Sequence, residues 1–127
     1  MNLNVLVHQY IELLLLKEKE EKNGSTDKVH FLEIEIDKIY DEYINGVYSS
    51  SMDEIKKLNE TIQKIMDKLE QDINILEEYH DSFTNYDRTQ MINMNYSLKY
   101  LINKLTKYQN IRDGLIEIIN SKSLKKI

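Results

Sequence analysis

Glu77 and His80 are the two residues of this 127-residue chain whose types and spacing come nearest to a chemistry. Residues three apart on a helix share a face, so this pair would present a carboxylate beside an imidazole. In carboxylate-bridged di-metal bundles a Glu-x-x-His pair supplies ligands, but it works with a second such pair and two further glutamates. That set is incomplete. Residues 88–127 hold one glutamate, Glu117, and no histidine. His30 and Glu33 come in the reverse order, and His8 stands on a separate segment. Glu77 and His80 are therefore expected to be solvated or hydrogen-bonded groups, three histidines on three separate segments need no special explanation, and no metal ligand or cofactor is expected.

Other routes to catalysis are equally thin. The chain has no cysteine, which removes thiol nucleophiles, thiolate zinc sites and cysteine-ligated iron–sulfur clusters. Gly24, Gly46 and Gly114 stand alone, so there is no glycine-rich phosphate loop. Nucleophile elbows, paired-histidine metalloprotease motifs and calcium loops are also missing. The expectation is a protein without catalytic residues.

Charge is the stronger signal. Residues 1–87 carry 20 acidic and 9 basic side chains, whereas residues 88–127 carry 8 basic and 2 acidic ones. The overall charge of −5 hides this division. Lys99, Lys104, Lys107, Arg112, Lys122, Lys125 and Lys126 form the basic field, which nucleic-acid phosphates would find attractive. Arginine, the common reader of base edges, occurs only twice against 15 lysines. The acidic remainder would also repel a polyanion. Nucleic acid is thus a disfavoured partner. Lys99, Lys104 and Lys107 are instead expected to face carboxylates of the preceding helix such as Glu60, Asp67 and Glu70. The most available charged face is expected on the second helix, at Glu33, Glu35, Asp37, Asp41 and Glu42.

Nine tyrosines accompany two phenylalanines and no tryptophan. A tyrosine packs its ring while its hydroxyl reaches water or a partner, which enriches it at interfaces. Tyr96 and Tyr100 are four residues apart and off the apolar stripe of their segment. They are the leading candidates for an exposed aromatic pair.

These side chains must be carried by helices, since no proline interrupts the chain. A first helix is read over Leu3–Lys22, with Asn23-Gly24 as its stop. It is apolar nearly all round, so neighbours should enclose it. Leu3, Leu6, Ile11, Leu14 and Leu15 are expected to reach past a thin bundle into an interface, either a dimer or an obligate partner. A second helix is read from Asp27 to Tyr43, capped by Ser25 or Thr26 and ended by Asn45-Gly46. Alternation of Leu32, Ile34 and Ile36 with acidic residues offers a strand as the competing reading. The third helix, Ser51 to His80, opens with a capping box at Ser51 and Glu54. Its stripe is Ile55, Leu58, Ile62, Ile65, Leu69, Ile73 and Leu76, whose eleven-residue steps match a nearly straight helix. The fourth is capped by Asp87 and Gln90. It carries Met91, Met94, Leu98, Leu101, Leu105 and Tyr108, extended by Ile111, Leu115 and Ile118, to about Asn120.

The fold expected is all-α: a long antiparallel helical hairpin with two shorter N-terminal helices, in a four-helix, bundle-like single domain over 1–127. The basic tail, 121–127, is expected to fray. The longest stretch free of formal charge, Met1–Ile11, is too short to span a bilayer and lacks a signal-peptide pattern. No membrane partner is expected, and the reading is a soluble intracellular protein. Its expected function is that of a protein–protein interaction module, an adaptor or structural subunit of a helical assembly. The alternative is a small acidic-faced inhibitor of another protein.

Overall fold

A computed structural model describes residues 2–82 and 88–124, with side-chain surroundings defined over 2–79 and 92–122. The described residues form four helices and no strand: α1 Leu3–Lys22, α2 Thr26–Ser49, α3 Met52–Ser82 and α4 Arg88–Leu124. Helix α1 packs along α2, and α3 packs along α4; α1 also touches both helices of the second pair. The molecule is thus two helical hairpins with α1 as the shared element.

Local chemistry sets the boundaries. Asn2 accepts a hydrogen bond from the Asn4 amide at 2.9 Å and caps α1. At its other end the Gly24 and Ser25 amides donate to the carbonyls of Glu21 and Glu20. Gly24 sits at φ +73°. This is the Schellman arrangement, which glycine accepts without a Cβ penalty. Ser25 is the N-cap residue of α2, yet its side chain makes no capping hydrogen bond. The capping box of α3 is present. Ser51 Oγ accepts from the Glu54 amide at 3.2 Å, and Glu54 Oε1 accepts from the Ser51 amide at 3.4 Å. The Asp87 cap expected for α4 lies outside the described residues.

Two boundaries differ from the sequence expectation. Helix α2 does not stop at Asn45-Gly46 but continues to Ser49. Gly46 is a packing residue: a Cβ built on it would lie 2.6 Å from Leu3 Cδ2. The missing side chain lets α1 approach, and the helical hydrogen bonds continue through it. Helix α4 likewise runs past Asn120 to Leu124, so residues 121–124 are helical rather than frayed. Residues 32–37 are helical, and the strand reading is excluded.

The core joins all four helices. Leu6, Val7 and Ile11 from α1 meet Tyr43 and Val47 from α2, Ile55 to Leu69 from α3, and Tyr108, Ile111 and Leu115 from α4. The buried positions of α3 are Ile55, Leu58, Ile62, Met66, Leu69 and Ile73. Met66 replaces the expected Ile65, which is half-buried. Eleven-residue steps still link Ile55 to Met66 and Ile62 to Ile73, as expected for a nearly straight helix.

Candidate interaction surface

A large concavity lies between α1 and α4. It is an open groove of about 990 Å³ whose walls include Leu15, Leu16, Lys19 and Lys22 from α1 and Ile92, Tyr96, Lys99 and Tyr100 from α4. Each set recurs at three- and four-residue spacing, so each is one face of its helix. Residues 92–103 give the α4 wall about three turns, or roughly 16 Å.

A polar cluster at one end of this groove joins its walls. Glu18 of α1 accepts hydrogen bonds from both Lys107 Nζ and Asn103 Nδ2 of α4. Lys107 also donates to Asn103 Oδ1 at 3.0 Å, closing a triangle. Partial burial pushes the Glu18 carboxyl up, but the hydrogen bonds from Lys107 and Asn103 outweigh it and hold the group below its ordinary value. Nearby, Lys104 Nζ reaches Glu12 at 3.4 Å and lies 5.8 Å from the centre of the Tyr100 ring. Burial alone would lower Lys104; the Tyr100 and Glu12 oxygens reverse that and raise it.

This cluster corrects the expected charge pairing. Lys104 and Lys107 serve α1, not Glu60, Asp67 or Glu70 of α3. Across the α3–α4 seam Arg112 Nη1 donates to Gln63 Oε1 at 3.1 Å. Lys104 and Lys107 are each paired with an α1 carboxylate and are largely covered. Lys19, Lys22 and Lys99 remain exposed, with no salt bridge among the described residues.

The apolar part of the groove is open. Tyr96 is 69% exposed, and Leu16, Ile92 and Tyr100 are also exposed. Tyr96 and Tyr100, expected as an exposed pair, are brought together on one wall. Leu16 and Ile92 carry no distinguishing signal in the sequence. Leu16 resembles any other apolar residue of a helix apolar on most sides, and only the position of α4 shows that it faces the groove.

The remaining candidates divide. Leu6 and Ile11 are 2% and 0% exposed, so they are core residues and not interface residues. The reason is that α1 is enclosed by α2, α3 and α4 together. Leu3, Leu14 and Leu15 are half-buried; Leu3 covers Gly46, and Leu15 lines the groove. On α2, Glu33 faces Lys17 of α1 at 3.5 Å, and Glu35 faces Lys38 at 3.5 Å. Glu33 is thus partly answered from α1. Asp37, Asp41 and Glu42 are exposed and form no salt bridge among the described residues. Phe31 and Ile34 lie exposed on the same helix, Phe31 at 61%.

A smaller recess of about 430 Å³ borders α1, α2 and α4 and contains a tyrosine cluster. The Tyr10 and Tyr40 rings are 5.4 Å apart, and Tyr40 and Tyr43 are 6.3 Å apart. Burial raises the Tyr10 and Tyr43 hydroxyls, so these rings are neutral packing groups. Glu77 is exposed, and the His80 side chain lies outside the described ones. No cluster of three or more metal-ligating side chains occurs among the described residues. No described helix is long and apolar enough to cross a membrane. Comparison with known proteins finds no matching family model, no matching curated protein and no matching solved structure.

Proposed function

We propose that this chain is a non-enzymatic protein–protein interaction module, an adaptor or structural subunit that docks a helical segment in the α1/α4 groove. The observation that carries the reading is the open apolar strip of Leu16, Ile92, Tyr96 and Tyr100, bordered by Lys19, Lys22 and Lys99. Two parallel rows of side chains with an apolar floor and charged rims are what an amphipathic helix needs. Aromatic anchors in such a floor supply most of the binding energy, and rim charges supply orientation. The Glu18 cluster supports this by holding the walls at fixed spacing, so little ordering is needed on binding.

Site-specific photo-cross-linking tests it. A photoreactive phenylalanine analogue at position 96, introduced in the cells the protein comes from, is expected to give a discrete protein adduct. The adduct should disappear when Tyr100→Glu and Ile92→Glu are added. Absence of a protein adduct, or one insensitive to these changes, would overturn the reading.

A further inference from the structure

We infer that the groove between α1 and α4 receives α2 of a second copy of this chain, each copy seating its α2 in the groove of the other. The inference rests on the interaction-module reading and names its partner.

The occupant follows from complementarity already on the surface. The groove rim carries Lys19, Lys22 and Lys99, all exposed and without salt bridges among the described residues. Its carboxylates, Glu12 and Glu18, are neutralised from α4 by Lys104 and Lys107. The groove therefore presents positive charge around an apolar floor. It calls for a helix with exposed apolar residues and uncompensated carboxylates.

Helix α2 has that composition on its outer side. Phe31, Ile34, Asp41 and Tyr48 are exposed and fall on one helical face, flanked by Asp37 and Glu42; Lys38 lies on the same face, with its charge answered by Glu35 at 3.5 Å. Phe31 through Glu42 spans three turns, the same length as the α4 wall. Phe31 and Ile34 leave apolar side chains exposed on this face. The chain thus carries both halves of one helix-in-groove contact. Reciprocal seating about a two-fold axis makes the contact twice and closes the assembly as a dimer.

Charge-swap sedimentation of the purified chain tests this. The parent protein should sediment as a concentration-dependent dimer at low salt and dissociate as salt rises, because exposed charges are screened within about 3 Å at 1 M salt. Lys19→Glu/Lys22→Glu/Lys99→Glu should weaken association by roughly 100-fold, since like charges then face each other. Asp37→Lys/Asp41→Lys/Glu42→Lys should do the same. All six positions are exposed, and circular dichroism should show that both variants remain helical. An equimolar mixture of the two variants restores opposite charge at both contacts, so it should recover a dimer that neither forms alone. A parent monomer at high concentration, a dimer indifferent to either triple reversal, or a mixture that stays monomeric each overturns the inference. A monomer whose position 96 cross-links to a different protein would overturn it while leaving the interaction-module reading intact.

Discussion

Leu3 Cδ2 occupies the space that a side chain on Gly46 would need, 2.6 Å from where its Cβ would stand. The contact locks the start of α1 onto the last turns of α2. Glycine costs a helix about 1 kcal/mol relative to alanine, and here that cost is offset by close packing of two helices.

The three glycines consequently predict four outcomes. Gly114 lies inside α4 with nothing within 4 Å of where a methyl group would stand. Gly114→Ala is expected to stabilise the protein by about 1 kcal/mol through helix propensity and a less flexible unfolded chain. Gly46→Ala should gain less, because Leu3 must move, and Gly46→Leu should destabilise. Gly24→Ala should destabilise by about 1 kcal/mol, since φ +73° is strained for any residue with a Cβ. Urea midpoints for the four variants check the order.

Glu18 predicts a pH dependence. Burial raises its carboxyl, but hydrogen bonds from Lys107 and Asn103 outweigh that and hold the folded-state value below the ordinary 4.5. Stability from this cluster is therefore complete above the ordinary glutamate range and lost as pH falls through the lower folded value. The Glu18 side chain is 42% exposed, which limits the pair to about 1 kcal/mol or less. Glu18→Gln should lower stability at neutral pH, and its difference from the parent should vanish in acid. Chemical unfolding at both pH values measures this. An equal difference at both would mean that the effect is not ionic.

Lys122 predicts a link between the last turn of α4 and the C-terminal end of α2. Its ammonium donates to the Ser50 carbonyl at 3.1 Å and the Tyr48 carbonyl at 3.4 Å. These carbonyls lie at the C-terminal end of α2, where the helix dipole favours a cation. Lys122→Met should cost about 0.3–1 kcal/mol, and high salt should shrink the difference. Truncation after Asn120 should produce at least the same loss. A neutral result for both would show that this contact adds nothing to stability.

Much of this molecule is local and therefore legible in the sequence. The α1 boundaries, the stop at Asn23-Gly24, the Ser51–Glu54 capping box and the stripes of α3 and α4 all depend on residues within a few positions of each other. Backbone donors and acceptors at a helix end are satisfied from nearby, and a stripe is set by helical periodicity. The all-α, bundle-like architecture follows from those signals together with two short connections.

What only tertiary structure decided concerns groups far apart in the chain. Gly46 has the same sequence signature whether it ends a helix or admits Leu3. Leu6 and Leu16 are both leucines of one apolar helix; α2, α3 and α4 together bury the first, and the groove beside α4 exposes the second. Lys107 could have answered a carboxylate on α3 or on α1, and a crossing geometry absent from the sequence gave it Glu18. Periodicity fixes which residues share a face. Which neighbour meets that face is set by how whole helices pack, and that choice places the pairing of charges and the open groove.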